Sequence, residues 1–195
     1  LFIIIDPPGL APLYLALTQG MTRAERLAIG RRACLTAGVL MLVFLFLGEA
    51  VLAFVGITMP AFRIAGGILL FLTALDMLFE RRQKRREGNA GEGADPGHDP
   101  SVFPLAIPLI VGPGAITTII LFAGRAESAL DFALIALVMA ANLVVVMLFF
   151  IAAPAVERIL GRVGINVVTR VLGMLLAALA IQFIIDGLRL SGLAG

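Results

Sequence analysis

Two membrane-length apolar stretches of this chain are interrupted in their middles by proline and glycine: Asp6-Pro7-Pro8-Gly9 near the start and Gly112-Pro113-Gly114 in the second half. Proline lacks a backbone donor and its ring clashes with the preceding turn, while glycine relaxes the limits on φ and ψ, so each cluster ends one helix and lets another begin. Hydrocarbon offers nothing to the freed backbone groups. Such breaks are confined to places buried in protein or lining a cavity, and a pair at corresponding points of two halves is the pattern of a transporter's central site.

Composition sets the class in which those breaks must be read. Hydrophobic residues make up 61% of the 195 and charged residues 14%, and the mean hydropathy is +1.07, which excludes an ordinary soluble domain and implies a polytopic, all-α membrane protein. With about 20 residues per span, the chain has room for six. They read as about 1 to 17, 33 to 56, 61 to 79, 104 to 123, 131 to 153 and 170 to 188. The opening Leu1-Phe2-Ile3-Ile4-Ile5 reads as the tail of a half-helix whose start lies upstream, not as a signal peptide.

Charge sorts the connections into two sides. Arg23, Arg26, Arg31 and Arg32, then Arg81, Arg82, Lys84, Arg85 and Arg86, then Arg158, Arg162 and Arg170 fall on one side; Arg63, Arg125 and Arg189 fall on the other. The positive-inside rule places the first group in the cytoplasm, both termini outside, and short outer turns at Gly56 to Pro60 and Gly124 to Ser128. The organisation expected is a first three-helix repeat over 1–80, a cytoplasmic linker over 81–103 and a second repeat over 104–195. The basic run of the linker reads as a topology anchor and not as a nucleic-acid site.

The halves align beyond the breaks, since Phe62-Arg63-Ile64-Ala65-Gly66 matches Thr169-Arg170-Val171-Leu172-Gly173 without gaps. Three spans is an odd number, so the second copy enters the membrane from the opposite face; spans 1 and 4 are the broken ones. Gly66, Gly67 and Gly173 are expected to serve close helix packing. Arg63 and Arg170 are expected at helix ends, snorkelling. Glu49, Asp76 and Asp186 are expected near span ends in interfacial or paired roles, and Asn142 and Gln182 as interhelical bonds or ligands.

After each break the segments Gly9 to Leu17 and Ala115 to Ala123 restart as helices, so free amides and two positive helix ends face a shared cavity. Each end favours an anionic group by about 0.3–2 kcal/mol. Thr117 and Thr118 add hydroxyls in the first turn of the second half-helix. Asp6 either caps the first half-helix, accepts a substrate ammonium, binds a coupling cation or carries a proton. The candidate substrate site is therefore Asp6, Pro7, Pro8, Gly9, Gly112, Pro113, Gly114, Thr117 and Thr118, with Asp6 the candidate for coupling to H+ or Na+. A site of helix ends and one acid suits a small zwitterion.

No phosphate-binding loop, nucleophile–base set or cluster of metal ligands is present, so the chain reads as neither an ATP-driven pump nor an enzyme and needs no cofactor. Cys34, the one cysteine, cannot form an intramolecular disulfide, and the lone His98 makes no metal site.

Four blocks in order carry a family resemblance: Asp6-Pro7-Pro8-Gly9-Leu10-Ala11-Pro12-Leu13-Tyr14, Phe62-Arg63-Ile64-Ala65-Gly66-Gly67-Ile68, Pro108-Leu109-Ile110-Val111-Gly112-Pro113-Gly114-Ala115-Ile116-Thr117 and Gln182-Phe183-Ile184-Ile185-Asp186-Gly187. Together they resemble the MarC family of bacterial inner-membrane proteins across nearly the whole chain. The resemblance implies six spans of the lysine-exporter-like superfamily, and some members are described as transporters of glycine, alanine and other neutral amino acids. Many members carry Asn-Pro where this chain has Asp6-Pro7. The function expected is secondary transport of small neutral amino acids; the alternatives are an exporter or channel for another small solute, or a non-transporting scaffold. Direction of transport and oligomeric state are left open.

Overall fold

Helix starts in this chain are fixed by prolines and side-chain caps, and they fall where the sequence is interrupted. The computed structural model describes residues 1–79 and 99–192; the basic run at 81–86 and His98 lie outside the described residues. Every regular element described is helical: α1 Phe2–Ile5, α2 Pro7–Leu17, α3 Arg23–Val55, α4 Met59–Leu78, α5 Ser101–Ile110, α6 Pro113–Ala123 and α7 Ala129–Leu190.

The entries to α3 and α7 are capping boxes, Thr22 with Glu25 and Ser128 with Asp131, in which each side chain serves the other residue's amide. Thr58 caps α4, whose first turn contains Pro60. The two short turns expected at Gly56 to Pro60 and Gly124 to Ser128 stand between α3 and α4 and between α6 and α7.

Proline distorts α5 most. Phe103 and Ile107 each precede a proline, which disfavours helical ψ, and both are extended (φ −120°, ψ 126° and φ −124°, ψ 126°). The amides of Leu105 and Val111 therefore reach five residues back, to the carbonyls of Pro100 and Ala106. At the following break α5 and α6 are bent by 60°.

The 62 residues of α7 would make a rod of about 93 Å, three times a bilayer core. Gly161, at φ 60° and ψ 179°, is not helical and divides it into two arms, 129–160 and 162–190. That backbone region is open in practice only to glycine. By length and apolarity α3, α4 and α7 can cross a membrane, with the bent pair α5–α6 a fourth; Phe2–Leu17 is apolar but shorter.

Element starts recur at one interval, which separates Asp6 from Gly112, Pro7 from Pro113, Thr22 from Ser128 and Arg23 from Ala129. The half-helices α2 and α6 are both 11 residues long.

Packing does not follow the halves of the sequence. One core joins Leu10, Leu13 and Tyr14 of α2, Met41 and Leu45 of α3, Leu105 of α5, and Val146 and Phe150 of the first arm of α7. The other joins Leu70, Ala74 and Met77 of α4 to Leu176, Ala180 and Phe183 of the second arm. The broken helices lie between the two: Ile5 and Ile119 belong to the first core, Ile4, Ala115 and Leu121 to the second.

The second core is drawn tight by small residues, of which Gly67 and Gly173 are among those the sequence marks for close packing and Gly187 is a further one. A Cβ on Gly67 would stand 2.8 Å from the Ala180 carbonyl, one on Gly187 3.0 Å from that of Pro60, and one on Gly173 3.2 Å from that of Ala74. Partner numbers rise along α4 as they fall along the second arm, so the two run antiparallel. Gly67→Val should therefore destabilise the protein by roughly 1–3 kcal/mol by forcing the helices apart, read as a lower melting temperature of the purified protein in detergent.

Candidate functional site

Asp6 forms the first break. Its backbone is left-handed (φ 58°, ψ 64°), a region that Asp and Asn enter more readily than most residues, and it is buried to 1% exposure. Its amide donates to the Phe2 carbonyl and closes α1, while its Oδ1 accepts from the Gly9 amide at 3.2 Å and caps α2. The hydroxyl of Thr169, on the second arm of α7, lies 3.3 Å from both carboxylate oxygens. Pro7, Pro8 and Gly9 are buried with it.

The second break has the same outline and a different cap. Gly112, half-buried and extended (φ −88°, ψ 173°), precedes Pro113, the exposed first residue of α6, and no side chain caps this helix. Gly114 is buried: a Cβ there would lie 3.1 Å from Ile4 Cγ2 and from Leu70 Cδ2, so Ile4 brings the two breaks into contact. Thr117 and Thr118 are 3% and 1% exposed. The Thr117 methyl fills the space that a Gly66 side chain would take, and the Thr118 hydroxyl is buried without a hydrogen-bond partner. The predicted residues are thus gathered at the seam between the cores, apart from Pro113 and Gly112, whose side chain or backbone reaches its edge. Two clefts open farther along α2, and none of these residues lines them.

Three polar side chains depart from expectation. Arg63 does not snorkel: it is 5% exposed, its Nε has no partner, and Arg125 and Asp186 are close enough to act on its charge. Those two form an ion pair at 3.0 Å, which bears out a paired role for Asp186. Gln182 donates to Asp186 at 2.8 Å and Asn142 to the Val138 carbonyl at 2.8 Å, both within their own helix, so neither joins two helices through these bonds.

Thr169 as the partner of Asp6 was not visible in the sequence, although it opens the segment that aligns with Phe62. Tyr14 was likewise missed as a structural residue. Its ring stacks on Phe150 with centroids 4.3 Å apart, and its hydroxyl donates to the Arg26 carbonyl at 2.6 Å.

The family model described as "MarC family integral membrane protein" matches residues 1–191. The chain belongs to the MarC family. It is 36% identical to a UPF0056 membrane protein of Archaeoglobus fulgidus over 96% of this chain and 88% of that one. With UPF0056 membrane protein MJ1677 of Methanocaldococcus jannaschii the identity is 34%, over 97% and 92%. The UPF0056 inner membrane protein YhgN of Escherichia coli is 35% identical over 97% and 93%. No solved structure matches the chain. This MarC protein is accordingly an integral membrane protein, and the pairing of a capped with an uncapped half-helix is a feature of its own backbone.

Asp6→Asn keeps both the left-handed backbone and an oxygen to cap Gly9, so it should change stability little. Asp6→Ala loses the cap and strains the backbone, and should cost about 1–3 kcal/mol. Thermal melting of the two variants beside the native protein checks the order.

Proposed function

We propose that this MarC protein is a secondary transporter of small neutral amino acids, of the glycine and alanine class, working by alternating access in a bacterial inner membrane. The observation that carries the reading is the Thr118 hydroxyl, buried without a partner in the first turns of an uncapped helix, with a second buried polar group, the Asp6 carboxylate, at the other break. An unmade hydrogen bond in a closed interior costs about 1–3 kcal/mol, a cost offset when a ligand supplies the missing group. The uncapped start of α6, with the Gly114 amide and the Thr118 hydroxyl, suits a carboxylate. Asp6, at the neighbouring break, suits an ammonium, and its carboxylate is the group through which H+ or Na+ would couple.

The six-span, inverted arrangement belongs to the same proposal. In it α1–α2, α3 and α4 form one repeat and α5–α6 and the two arms of α7 the other, with both termini outside. The single interval between equivalent element starts supports this, as does the sharp bend at Gly161 inside a helix too long for one crossing. Burial of Asp6, Gly9, Gly114, Thr117 and Thr118 supports a closed state in which neither face reaches the centre.

Uptake of labelled glycine and alanine into proteoliposomes, with and without imposed proton or sodium gradients, tests the reading. Saturable, gradient-driven uptake is expected, lost in Thr118→Val although that variant melts no lower than the native protein. Absence of saturable uptake under every gradient, with folded protein, would overturn it; flux that never saturates would favour a channel.

A further inference from the structure

Two adjoining clefts, of about 490 and 460 Å³, open where α2 ends, α3 begins and the first arm of α7 approaches its bend. They share Leu15, Arg26 and Pro154. The first adds Gln19, Glu157 and Arg162, the second Arg23 and Ile151, so three arginines stand against one carboxylate and the rim is positive overall. The walls below are apolar. Arg26 Nε is buried and has no hydrogen-bond partner, which leaves a donor unfilled at the point the clefts have in common.

The surroundings indicate what reaches this place. Ile151 on the cleft wall is 47% exposed, and Ile159 and Val163, on either side of the bend, are 80% and 78% exposed. In an integral membrane protein an apolar surface of that kind meets lipid. All three arginines of the rim also belong to the group that the charge distribution assigns to the cytoplasmic side, where anionic headgroups attract clustered arginine.

We infer that this cleft binds an anionic phospholipid, with the phosphate held by Arg26 and Arg162 and the acyl chains along Leu15, Ile151 and Pro154. Guanidinium suits the part because its fork of donors matches phosphate oxygens in pairs. A soluble phosphate would meet the same arginines and leave the apolar walls uncovered, so the two sources of the same group are separable by experiment. The site is distinct from the breaks, and its test does not depend on transport.

The full chain, purified in a neutral detergent, is titrated with phosphatidylglycerol, with phosphatidylcholine of the same acyl chains and with inorganic phosphate, and its melting temperature is followed. Phosphatidylglycerol should raise it saturably and the other two should not. In Arg26→Gln/Arg162→Gln the half-saturating concentration should rise roughly tenfold. Arg162→Gln alone alters only an exposed side chain, and it should give a smaller shift in the same direction if the double variant does not fold. An equal response to phosphatidylcholine, an equal response to inorganic phosphate, or an unchanged half-saturation in folded variants would each overturn the assignment.

Discussion

A backbone surrounded by hydrocarbon must satisfy its own polar groups, because each one left unpaired costs several kcal/mol. The rest of this structure depends on how two interrupted helices meet that demand. At the first break the solution is complete: Pro7 and Pro8 have no amide hydrogen to leave unpaired, Gly9 donates to the Asp6 carboxylate, and Leu10 donates to the Asp6 carbonyl. Four residues thereby start a helix in the interior with no stray donor. At the second break Ala115 and Ile116 both turn back to the Gly112 carbonyl, and no side chain serves the amide between them and Pro113. Equal length and unequal capping make the two half-helices alike in shape and different in what they offer a bound molecule.

Much of this was legible because proline and glycine act locally. The break at Asp6, the cap it provides, the second break and the two short turns after α3 and α6 follow from residue types with few conformational alternatives. The tight seam of Gly67 and Gly173 was also legible, since small residues at a helical interface have one common use. Tertiary information was harder to reach. That Thr169 meets Asp6 depends on which face of a distant helix turns inward, and nothing local to Thr169 states it. Arg63 was misread for a similar reason: a charge near a helix end snorkels unless the surrounding protein encloses it, and here the residue is 5% exposed with its Nε buried.

The bend in α7 shows the limit of reading spans from apolar runs. Residues 154–169 carry Pro154, Glu157, Arg158 and Arg162 and interrupt the hydrophobic pattern, yet the chain stays helical on both sides of Gly161. Proline inside a helix frees one carbonyl and the glycine makes the turn, so a connection that reads as a loop is built from two helix ends and a single non-helical residue. The same bend opens the clefts beside Arg26.

Ile4 and Ile5 are joined by one peptide bond and are packed into different cores. The chain therefore passes from one core to the other across a single bond, and the left-handed residue that follows is the one whose carboxylate caps α2 and meets Thr169 of the second arm. Asp6 is in this way a fastening between the two parts of the interior as well as a cap.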